Sequence, residues 1–465
     1  MRIHSTLGRT TSELVPRDGD RVTIYMCGPT VQTVPHLGHG RAFVVFDVLR
    51  RYLRWQGLSV LYVRNVTDID DKIIDAAAER GIPVDQHARE MEEVFRSAMH
   101  ALCVEDPDVE PRATEHIDQM QALIATLIET GHAYPSDGDV YFSVRSFPGY
   151  GKLSGRNPDD LRSGSRVEPG EAKRDPLDFA LWKGAKPGEP TWDSPWGPGR
   201  PGWHIECSAM ARAYLGDGFD IHGGGSDLIF PHHENEIAQS EAATGTPFAR
   251  FWMHNGMLNL GGEKMSKSTG HVIDLVEATE QYPAAAIRLF YLRAHYRSPL
   301  EYSLDLLDES AAALDRLRAF RRRAGEPSVP DDEFLGRFTA AMDDDLATPE
   351  AISALFDLVR EGNRCLEAGE PVADLAATYD VIVAVLGLDD QATDDAIDPA
   401  VAALLEAHDL PTADDLDSAV AGLIEARAAA RDARDWATAD GIRDGLAEAG
   451  ITLEDTPDGV RWYRS

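Results

Sequence analysis

The sequence predicts an α/β protein whose parallel sheet is followed by a mainly helical region. Residues 22–26 alternate between side chains as a strand does, residues 40–55 carry a largely apolar helix pattern, and residues 60–66 match a second strand. Strand, helix and strand in this order predict a parallel pair with a right-handed crossover. From residue 303 the pattern turns helical, and the chain ends in a hairpin-like segment.

The first predicted domain covers residues 1–302 and contains an insertion at about 110–200. A short helix is expected at 70–81, before the insertion. Inside the insertion, a helix pattern at 117–130 gives way to Pro- and Gly-rich sequence. Strand and helix patterns resume at 203–302, so we expect the chain to return there to the same sheet.

The second predicted domain, residues 303–390, is a helical bundle. Ser303 is suited to cap its first helix, and Thr348 is expected to cap a second helix that has Pro349 at its first position. A Pro-, Gly- and Asp-rich joint at 387–399 leads to a small third domain, residues 400–465. Two helical patterns and a hairpin around a Pro-Asp-Gly turn are expected in this last domain.

Composition argues for a globular protein of a reducing, cytoplasmic compartment. The longest apolar stretch, 381–388, is far shorter than the ~18 residues of a membrane span. Residues 1–20 lack the apolar core of a signal peptide. Four scattered cysteines are too few for a disulfide framework. We therefore expect no membrane partner.

The charge balance is strongly acidic, with 79 acidic and 45 basic residues and a net charge of −34. Taken alone, this disfavours a nucleic-acid partner, because phosphate binding needs basic surface. Large net charge is also typical of halophilic proteins, since at ~1 M salt the Debye length falls to ~3 Å. We predict a halophile, and on that interpretation the charge does not exclude a nucleic-acid partner.

A histidine- and glycine-containing segment, His36-Leu37-Gly38-His39, lies between a predicted strand and a helix start. Free N–H groups and the positive end of the dipole make a helix N-terminus suitable for phosphate. Two imidazoles there could donate to charge that develops on a phosphate. An ordinary loop with turn glycines is the alternative.

A second segment holds two of the chain's seven lysines, Lys264 and Lys267, within Lys-Met-Ser-Lys-Ser after two glycines. A glycine-flanked loop with two ammonium groups can close over a polyphosphate. A solvated surface loop is the alternative, although the scarcity of lysine elsewhere weakens it.

A third set could bind a metal ion. His232 and Glu236 lie four residues apart in a segment expected to be helical, and so share one face. With Cys27 and Cys207 they form a plausible zinc site. His233 is an equally good candidate by spacing, and buried cysteines with a capped helix are the alternative. Spacing leaves these choices open.

Together, the three sets resemble the signatures of class I aminoacyl-tRNA synthetases, and specifically of the cysteinyl-tRNA synthetase family. The histidine segment resembles the HIGH signature with Leu37 in place of isoleucine, and residues 264–268 match KMSKS. The segments specific to the cysteinyl family are Cys27-Gly28-Pro29-Thr30, 203–207, 223–228 and 230–236, whereas 342–345 and 439–444 resemble its tRNA-binding helical half.

The resemblance implies a Rossmann-like catalytic domain with an insertion, a tRNA-binding helical bundle and a small anticodon-binding domain. It implies one zinc ion held by Cys27, Cys207, His232 and Glu236, with His233 left out. The ion would bind the substrate's thiolate in an added position and disfavour serine. Three residues would contact the cysteine substrate: Gly28, Thr67 and Trp203.

The resemblance also implies a reaction. Cysteine and ATP with Mg²⁺ would form a cysteinyl adenylate, and the 2′-hydroxyl of the terminal adenosine of tRNA(Cys) would accept the cysteine. Gly38 would help bind ATP, and four residues would both bind ATP and act in catalysis: His36, His39, Lys264 and Lys267. A monomer is the expected state.

Contacts with tRNA are expected in the helical half. An arginine cluster at the end of a predicted helix could meet the tRNA or be a solvated helix end: Arg316, Arg318, Arg321, Arg322 and Arg323. Trp436, Arg461 and Trp462 could stack on anticodon bases. Two rival functions are an amino-sugar ligase of mycothiol synthesis, which uses the same adenylate, and a zinc-structured RNA-binding module.

Overall fold

The computed structural model describes residues 1–163, 173–260, 263–264, 274–389, 399–408, 410–411, 413, 416–456 and 459–464. The chain divides into two compact units, Met1–Asp389 and Asp390–Ser465.

The first unit begins with alternating strands and helices: β1 (Arg2–Ser5), β2 (Thr10–Glu13), β3 (Arg21–Met26), α1 (Leu37–Trp55), β4 (Ser59–Arg64), α2 (Asp71–Arg80), α3 (Val84–Ala101) and α4 (Ile117–Glu129). Its middle part contains β5 (Ala133–Ser136), β6 (Asp139–Phe142), α5 (Pro158–Ser163), β7 (Phe179–Gly184), β8 (Gly199–Pro201), α6 (Trp203–Leu215), β9 (Phe219–Gly225), a π-helical turn (Ile229–His233), α7 (Glu234–Thr244) and β10 (Ala249–Asn255). Its last part contains β11 (Leu258–Leu260), β12 (Glu263–Lys264), α8 (Leu275–Gln281), α9 (Ala284–Leu292), β13 (Leu300–Tyr302), α10 (Leu304–Arg323), α11 (Asp332–Asp343), α12 (Thr348–Ala368) and α13 (Ala373–Leu386).

The central sheet of this unit has four parallel strands in the order β10-β9-β3-β4. Ile24 of β3 pairs with Ile221 of β9, and Met26 pairs with Arg64 of β4. The carboxyl ends of the strands therefore meet along one edge, which is where open α/β sheets bind ligands. The predicted α/β fold with a parallel sheet is confirmed.

Two element boundaries differ from the sequence prediction near this edge. Helix α1 begins at Leu37 rather than near residue 40, because the His36 ring caps it by accepting a hydrogen bond from the Gly38 N–H. Strand β4 ends at Arg64 rather than at residue 66, and Thr67 forms an isolated bridge with Thr30. Both changes bring polar groups to the carboxyl edge.

Two consecutive glycines let helices approach both faces of the sheet. A Cβ at Gly223 would lie 2.2 Å from the Phe46 ring of α1, whereas a Cβ at Gly224 would lie 2.7 Å from the His233 ring. Because successive residues of a strand face opposite sides, each glycine admits a different element. The segment leading into α7 and helix α1 are thus seated directly on opposite faces.

The insertion forms a separate antiparallel sheet in the order β5-β6-β7-β8. Asp71, at the start of α2, forms ion pairs with Lys183 of β7 and with Arg200 of β8. Arg200 is buried and also pairs with Glu189 at 2.9 Å. Burial opposes ionisation of Asp71, but the bonds and charges of Lys183 and Arg200 lower its pKa to about 2. This network attaches the insertion to the central domain.

The helices α10 to α13 pack on α1 and α9 through one hydrophobic cluster. Ser303 caps α10 as expected, since its hydroxyl accepts from the Leu306 N–H at 3.2 Å. The expected cap at Thr348 is wrong: Thr348 is already the first residue of α12, and the cap position is Ala347. Pro349 still occupies the first turn, where its missing N–H leaves no hydrogen bond unmade.

The second unit contains α14 (Pro399–Ala407), α15 (Leu416–Asp432), α16 (Trp436–Glu448) and an antiparallel hairpin of β14 (Ile451–Thr456) and β15 (Gly459–Arg464). The hairpin confirms the sequence prediction, but the described residues form three helices rather than two. Pro399, which was assigned to the joint, is the first residue of α14, since proline is also common at helix starts. No helix among the described residues has both the length and the apolar character needed to cross a membrane.

Candidate active site and metal centre

A cavity of about 290 Å³ opens at the carboxyl edge of the central sheet. It brings together most of the residues singled out in the sequence and adds several others: Cys27, Gly28, Thr30, His36, Gly38, His39, Thr67, Trp203, Cys207, Asp227, His232, Gly256 and Met257. The cavity has a floor, which contains Cys27 and Cys207, and a wall, which contains His36 and His39, and the two differ in construction.

The floor holds a cluster of potential metal ligands. Cys27 follows β3, Cys207 lies on α6, His232 lies in the π-helical turn, and Glu236 lies on α7. The Cys27 Sγ is 3.6 Å from the Cys207 Sγ and 3.5 Å from the Glu236 Oε1, and the His232 Nε2 is 3.2 Å from the same Oε1. All four residues are buried, and one donor atom of each lies within 4.8 Å of the others.

These separations fit a tetrahedral zinc ion. Ligands ~2.0–2.3 Å from zinc lie about 3.3–3.8 Å from one another, which is close to the observed spacing. Two sulfurs, one imidazole and one carboxylate are ligands that zinc accepts. Burial raises the pKa of the Cys27 thiol well above its usual value, so a bound cation would be needed to favour the thiolate.

A second donor set overlaps the first. Cys27, His222, His233 and Glu236 also place their donor atoms within 4.8 Å of one another. The His233 Nε2 lies 3.3 Å from the Cys27 Sγ, while its Nδ1 is paired with His254 at 2.7 Å. The two sets share Cys27 and Glu236, and only the first contains both thiols. The geometry admits both sets.

Further histidines support the donors. The His222 Nε2 is 2.8 Å from the Glu236 Oε2, and the His204 Nδ1 is 3.0 Å from the His232 Nδ1. Burial lowers the pKa of His204 and of His254 to about 3, and burial also lowers that of His232. Neutral imidazoles with oriented neighbours are suitable metal ligands. The roles of His204, His222 and His254 were missed, although His222 stands out as a polar residue in the buried strand β9.

Trp203 lies beside the same cluster. Its ring stacks on the His232 ring with centroids 4.3 Å apart and an interplanar angle of 23°. Its position at the start of α6 puts it in the cavity lining four residues before Cys207. The sequence thus identified a residue that does lie next to the candidate metal ligands.

A chain of hydrogen bonds links the other two predicted substrate residues. The Gly28 N–H donates to the Asn65 Oδ1 at 2.9 Å, and the Asn65 amide donates to the Thr67 hydroxyl at 3.3 Å. The Thr67 hydroxyl donates to the buried Glu206 Oε2 at 2.8 Å. Burial raises the pKa of Glu206 well above its usual value. Asn65 and Glu206 were both missed; Asn65 is only two residues before Thr67, whereas Glu206 is 139 positions away and only the fold brings it to Thr67.

The wall is formed by the start of α1 together with Gly256 and Met257. The His36 Nδ1 accepts from the Gly38 N–H at 3.1 Å, and the His39 Nδ1 accepts from the His36 N–H at 3.1 Å. Both rings therefore carry their proton on Nε2 when neutral. The rings lie 3.9 Å apart, so two Nε2–H donors stand side by side at a helix N-terminus.

The lysine-containing segment is only partly within the described residues. Lys264 is the last residue of β12, whereas its side chain and Lys267 lie outside the described part of the chain. After this segment, Asp274 forms a bridge with His36, and the Leu275 N–H donates to the Pro35 carbonyl at 3.0 Å. The segment therefore ends next to the start of α1.

The residues expected to contact nucleic acid are spread over both units. Arg321 pairs with Asp380 at 2.6 Å, and Arg323 donates to Asn363 at 3.0 Å, so these two arginines of the cluster are engaged by neighbouring helices. In the second unit, Trp436 is 58% exposed. Trp462 packs partly against the core of that unit, and the side chain of Arg461 lies outside the described residues.

Three family models match the chain in sequence order. The model described as tRNA synthetases class I (C) catalytic domain covers residues 13–312, the DALR domain covers 337–389, and the Cysteinyl-tRNA ligase anticodon binding domain covers 413–462. Among solved structures, methionyl-tRNA synthetase of Mycobacterium tuberculosis with methionyl-adenylate has a TM-score of 0.60 at 18% identity, covering 79% of this chain and 90% of that one. A leucyl enzyme of Agrobacterium radiobacter in a tRNA complex has a TM-score of 0.59 at 12% identity, covering 82% and 85%. The fold and the matched domains define a class I aminoacyl-tRNA synthetase.

Curated relatives narrow this class. Proteins named cysteine–tRNA ligase from Halorhodospira halophila and Heliobacterium modesticaldum are 52% and 48% identical over all of both chains. That of Pseudomonas aeruginosa is 49% identical over 99% of both chains. This chain belongs to the cysteine–tRNA ligase family, and the resemblance found in the sequence is confirmed.

Proposed function

We propose that this protein joins L-cysteine to the 3′-terminal adenosine of tRNA(Cys) at the expense of ATP, through a cysteinyl adenylate, and that a zinc ion selects the cysteine. One observation carries the proposal: a thiol-containing donor cluster and a pair of histidine donors at a helix N-terminus line the same cavity. The first suits sulfur recognition, and the second suits phosphate.

Cys27, Cys207, His232 and Glu236 would hold the zinc ion, one per chain. When bound, zinc supplies a Lewis acid that accepts sulfur much better than a hydroxyl oxygen. Discrimination of this kind can reach ~10⁴ without a separate editing site. His222 would orient Glu236, and His204 would orient His232, through the hydrogen bonds described above.

Three residues would position the amino acid. Because the Thr67 hydroxyl donates to Glu206 and accepts from the Asn65 amide, its second lone pair can accept from the substrate ammonium. Gly28 lies beside Cys27 in the cavity lining, and the Trp203 ring covers the side of the small substrate. These contacts would aim the substrate carboxylate at the α-phosphate of ATP.

The nucleotide would bind along the wall with Mg²⁺ as its counter-ion. His36 and His39 would donate from Nε2 to the phosphates, and Gly38 would let the nucleotide approach the backbone. Lys264 and Lys267 would neutralise the departing pyrophosphate. No side chain need form a covalent intermediate, because positioning and charge stabilisation supply most of the catalysis in phosphoryl-type transfer.

The second step and its partner follow from the same assignment. The 2′-hydroxyl of the terminal adenosine would attack the adenylate carbonyl. The helical residues 303–390 and the last domain, 400–465, would bind tRNA(Cys), with Trp436, Arg461 and Trp462 near the anticodon. We place the protein in the cytoplasm as a monomer. Its net charge of −34 supports a halophilic source, for which the melting temperature should rise with KCl into the molar range.

The decisive experiment is ATP–pyrophosphate exchange in molar KCl with cysteine or serine, together with metal content and tRNA(Cys) charging. Exchange with cysteine but not serine, about one zinc per chain and charged tRNA would support the proposal. Cysteine-dependent exchange followed by acylation of an amino sugar instead of tRNA would favour the rival ligase. Zinc without exchange would favour an RNA-binding module.

A further inference from the structure

Arg41 is a buried cation whose hydrogen bonds go to backbone carbonyls. It lies two residues after His39 on α1 and is 0% exposed. Its Nη1 donates to the carbonyls of Gly256 at 2.8 Å and Met257 at 3.1 Å. Its Nη2 donates to those of Ser298 at 2.7 Å and His295 at 3.2 Å. Among the described residues, no carboxylate forms an ion pair with Arg41.

Two of these carbonyls belong to the cavity. Gly256 and Met257 line it together with His36 and His39. They follow β10 and lead into β11, the strand before the lysine-containing segment. The Gly256 N–H also donates to the Tyr296 carbonyl at 2.7 Å. Arg41 therefore connects helix α1, which carries His36 and His39, to the other part of the wall, which carries Gly256 and Met257.

The far end of the lysine-containing segment returns to the same helix start. Asp274 forms a bridge with His36, and the Leu275 N–H donates to the Pro35 carbonyl. The chain from 258 to 274 thus departs next to the carbonyls that Arg41 holds and returns at the cap of α1. Both ends of the segment therefore lie next to residues that contact helix α1.

The guanidinium suits this task better than an ammonium group. Its planar fork can reach carbonyls on two neighbouring loops at once, whereas a lysine offers three donors from one point. Burial lowers the pKa of Arg41 to about 10, so it remains charged at neutral pH. A charged donor without a carboxylate partner makes strong hydrogen bonds to carbonyl dipoles.

A second buried arginine provides a matched comparison. Arg288 is also 0% exposed and donates to the carbonyls of Leu102, Cys103 and Leu386. Unlike Arg41, it is paired with a carboxylate, that of Asp47, at 2.8 Å. None of its bonded carbonyls belongs to a residue lining the cavity. A purely structural role predicts similar consequences for both arginines.

We propose that Arg41 is a positioning residue for the nucleotide, which holds Gly256, Met257 and the strand β11 that follows them in register with His36 and His39. The proposal rests on the function proposed above, and deepens it by assigning a residue outside both signatures to ATP binding. It predicts that replacing Arg41 weakens ATP binding and leaves cysteine binding and zinc content unchanged.

Arg41→Lys tests this prediction in the full-length protein. It retains the charge but loses part of the fork, and we expect the KM for ATP in pyrophosphate exchange to rise about tenfold. The KM for cysteine and the zinc content should stay within about twofold. Arg288→Lys should lower the melting temperature without changing the KM for ATP. Equal changes in both KM values, or the same result for both variants, would overturn the proposal.

A measurement on the unmodified protein covers the case in which the variant does not fold. The N–H groups of Gly256 and Leu300 are bonded to the carbonyls of Tyr296 and Met257. ATP without cysteine should slow their hydrogen exchange by about tenfold or more, whereas cysteine alone should not. If ATP leaves these rates unchanged, the positioning role is wrong. Absence of cysteine-dependent pyrophosphate exchange would instead overturn the proposed function, and ATP-dependent protection would still decide the role of Arg41.

Discussion

The floor and the wall of the cavity are built in opposite ways. The floor consists of side chains: its donors come from the end of β3, from α6 and from the π-helical turn and start of α7, and they are buried against further histidines. The wall consists largely of backbone: the N-terminus of α1 and the segment containing Gly256 and Met257, with two histidines oriented by backbone N–H groups. The floor therefore depends on which side chains are present, and the wall depends on where the main chain runs.

This difference matches what each part would recognise. Sulfur is distinguished from oxygen by the chemistry of the atoms that bind it, so the floor needs particular ligands. A nucleotide phosphate can be recognised by backbone N–H groups and a helix dipole, to which the wall adds the Nε2–H donors of His36 and His39. Substitutions in the floor should thus alter metal binding, whereas substitutions in the wall should alter the nucleotide step alone.

The largest expected effect comes from Cys207→Ser, which removes a thiol from the floor. Zinc content should fall well below one per chain, and cysteine-dependent exchange should fall by ~10³ or more, because loss of a ligand removes the sulfur-selective site. Metal analysis after dialysis measures the first effect. Cys365→Ser, a buried cysteine of α12, is the matched control and should retain its zinc. Full zinc in Cys207→Ser would favour the second donor set with His222 and His233.

A smaller effect is expected from His39→Asn in the wall. The asparagine side chain can still accept from the His36 N–H but has no counterpart to the Nε2–H donor. Exchange should slow by ~10² while zinc content and melting temperature stay nearly unchanged. His100→Asn, an exposed histidine paired with Asp106, serves as control. An unchanged exchange rate would remove His39 from the catalytic assignment.

His222→Phe tests whether His222 orients Glu236 or is itself a metal ligand. If His222 only orients Glu236, zinc affinity should fall by ~10–100-fold, and His222→Gln should restore most of it, since its amide can donate to the same carboxylate. Competition with a zinc chelator measures the affinity. A loss as large as that of Cys207→Ser, with no rescue by glutamine, would make His222 a ligand.

The smallest effect lies outside both regions. Asp71 has its pKa lowered to about 2, below its ordinary value of 3.8, because the bonds and charges of Lys183 and Arg200 outweigh burial. Its stabilisation is therefore present above about pH 4 and lost as the pH falls towards 2. Asp71→Asn should lower the unfolding free energy by at most ~1 kcal/mol at pH 7, and by less at pH 3. Urea titrations at both pH values measure this, with the exposed Asp85→Asn as control. A loss that is the same at both pH values would contradict the assigned ion pairs.

The sequence predicted the parts of the site that depend on local pattern. Periodicity and capping residues predict the strand, the turn at Cys27 and the helix after His36. The family resemblance placed Cys27 and Cys207, which are 180 positions apart, in one metal site. The roles of His222, Glu206 and Arg41 were missed, because they arise from contacts between distant elements. Nothing in their neighbouring residues distinguishes a histidine that orients a carboxylate from one that fills a core. The overlap of the two donor sets is likewise visible only in three dimensions.

Gly223 and Gly224 have a consequence for substrate size. Because neither carries a side chain, α1 and the segment leading into α7 rest on the sheet itself, so the thickness of the sheet would set the distance between a nucleotide bound at the start of α1 and the donor cluster. An amino acid one methylene longer than cysteine would then be too long to fit between the two without displacing a helix. Homocysteine has the same sulfur chemistry, yet this spacing should reject it by length, by a factor of ~10–200. Through the two glycines, the thickness of the sheet would thus limit the length of the substrate.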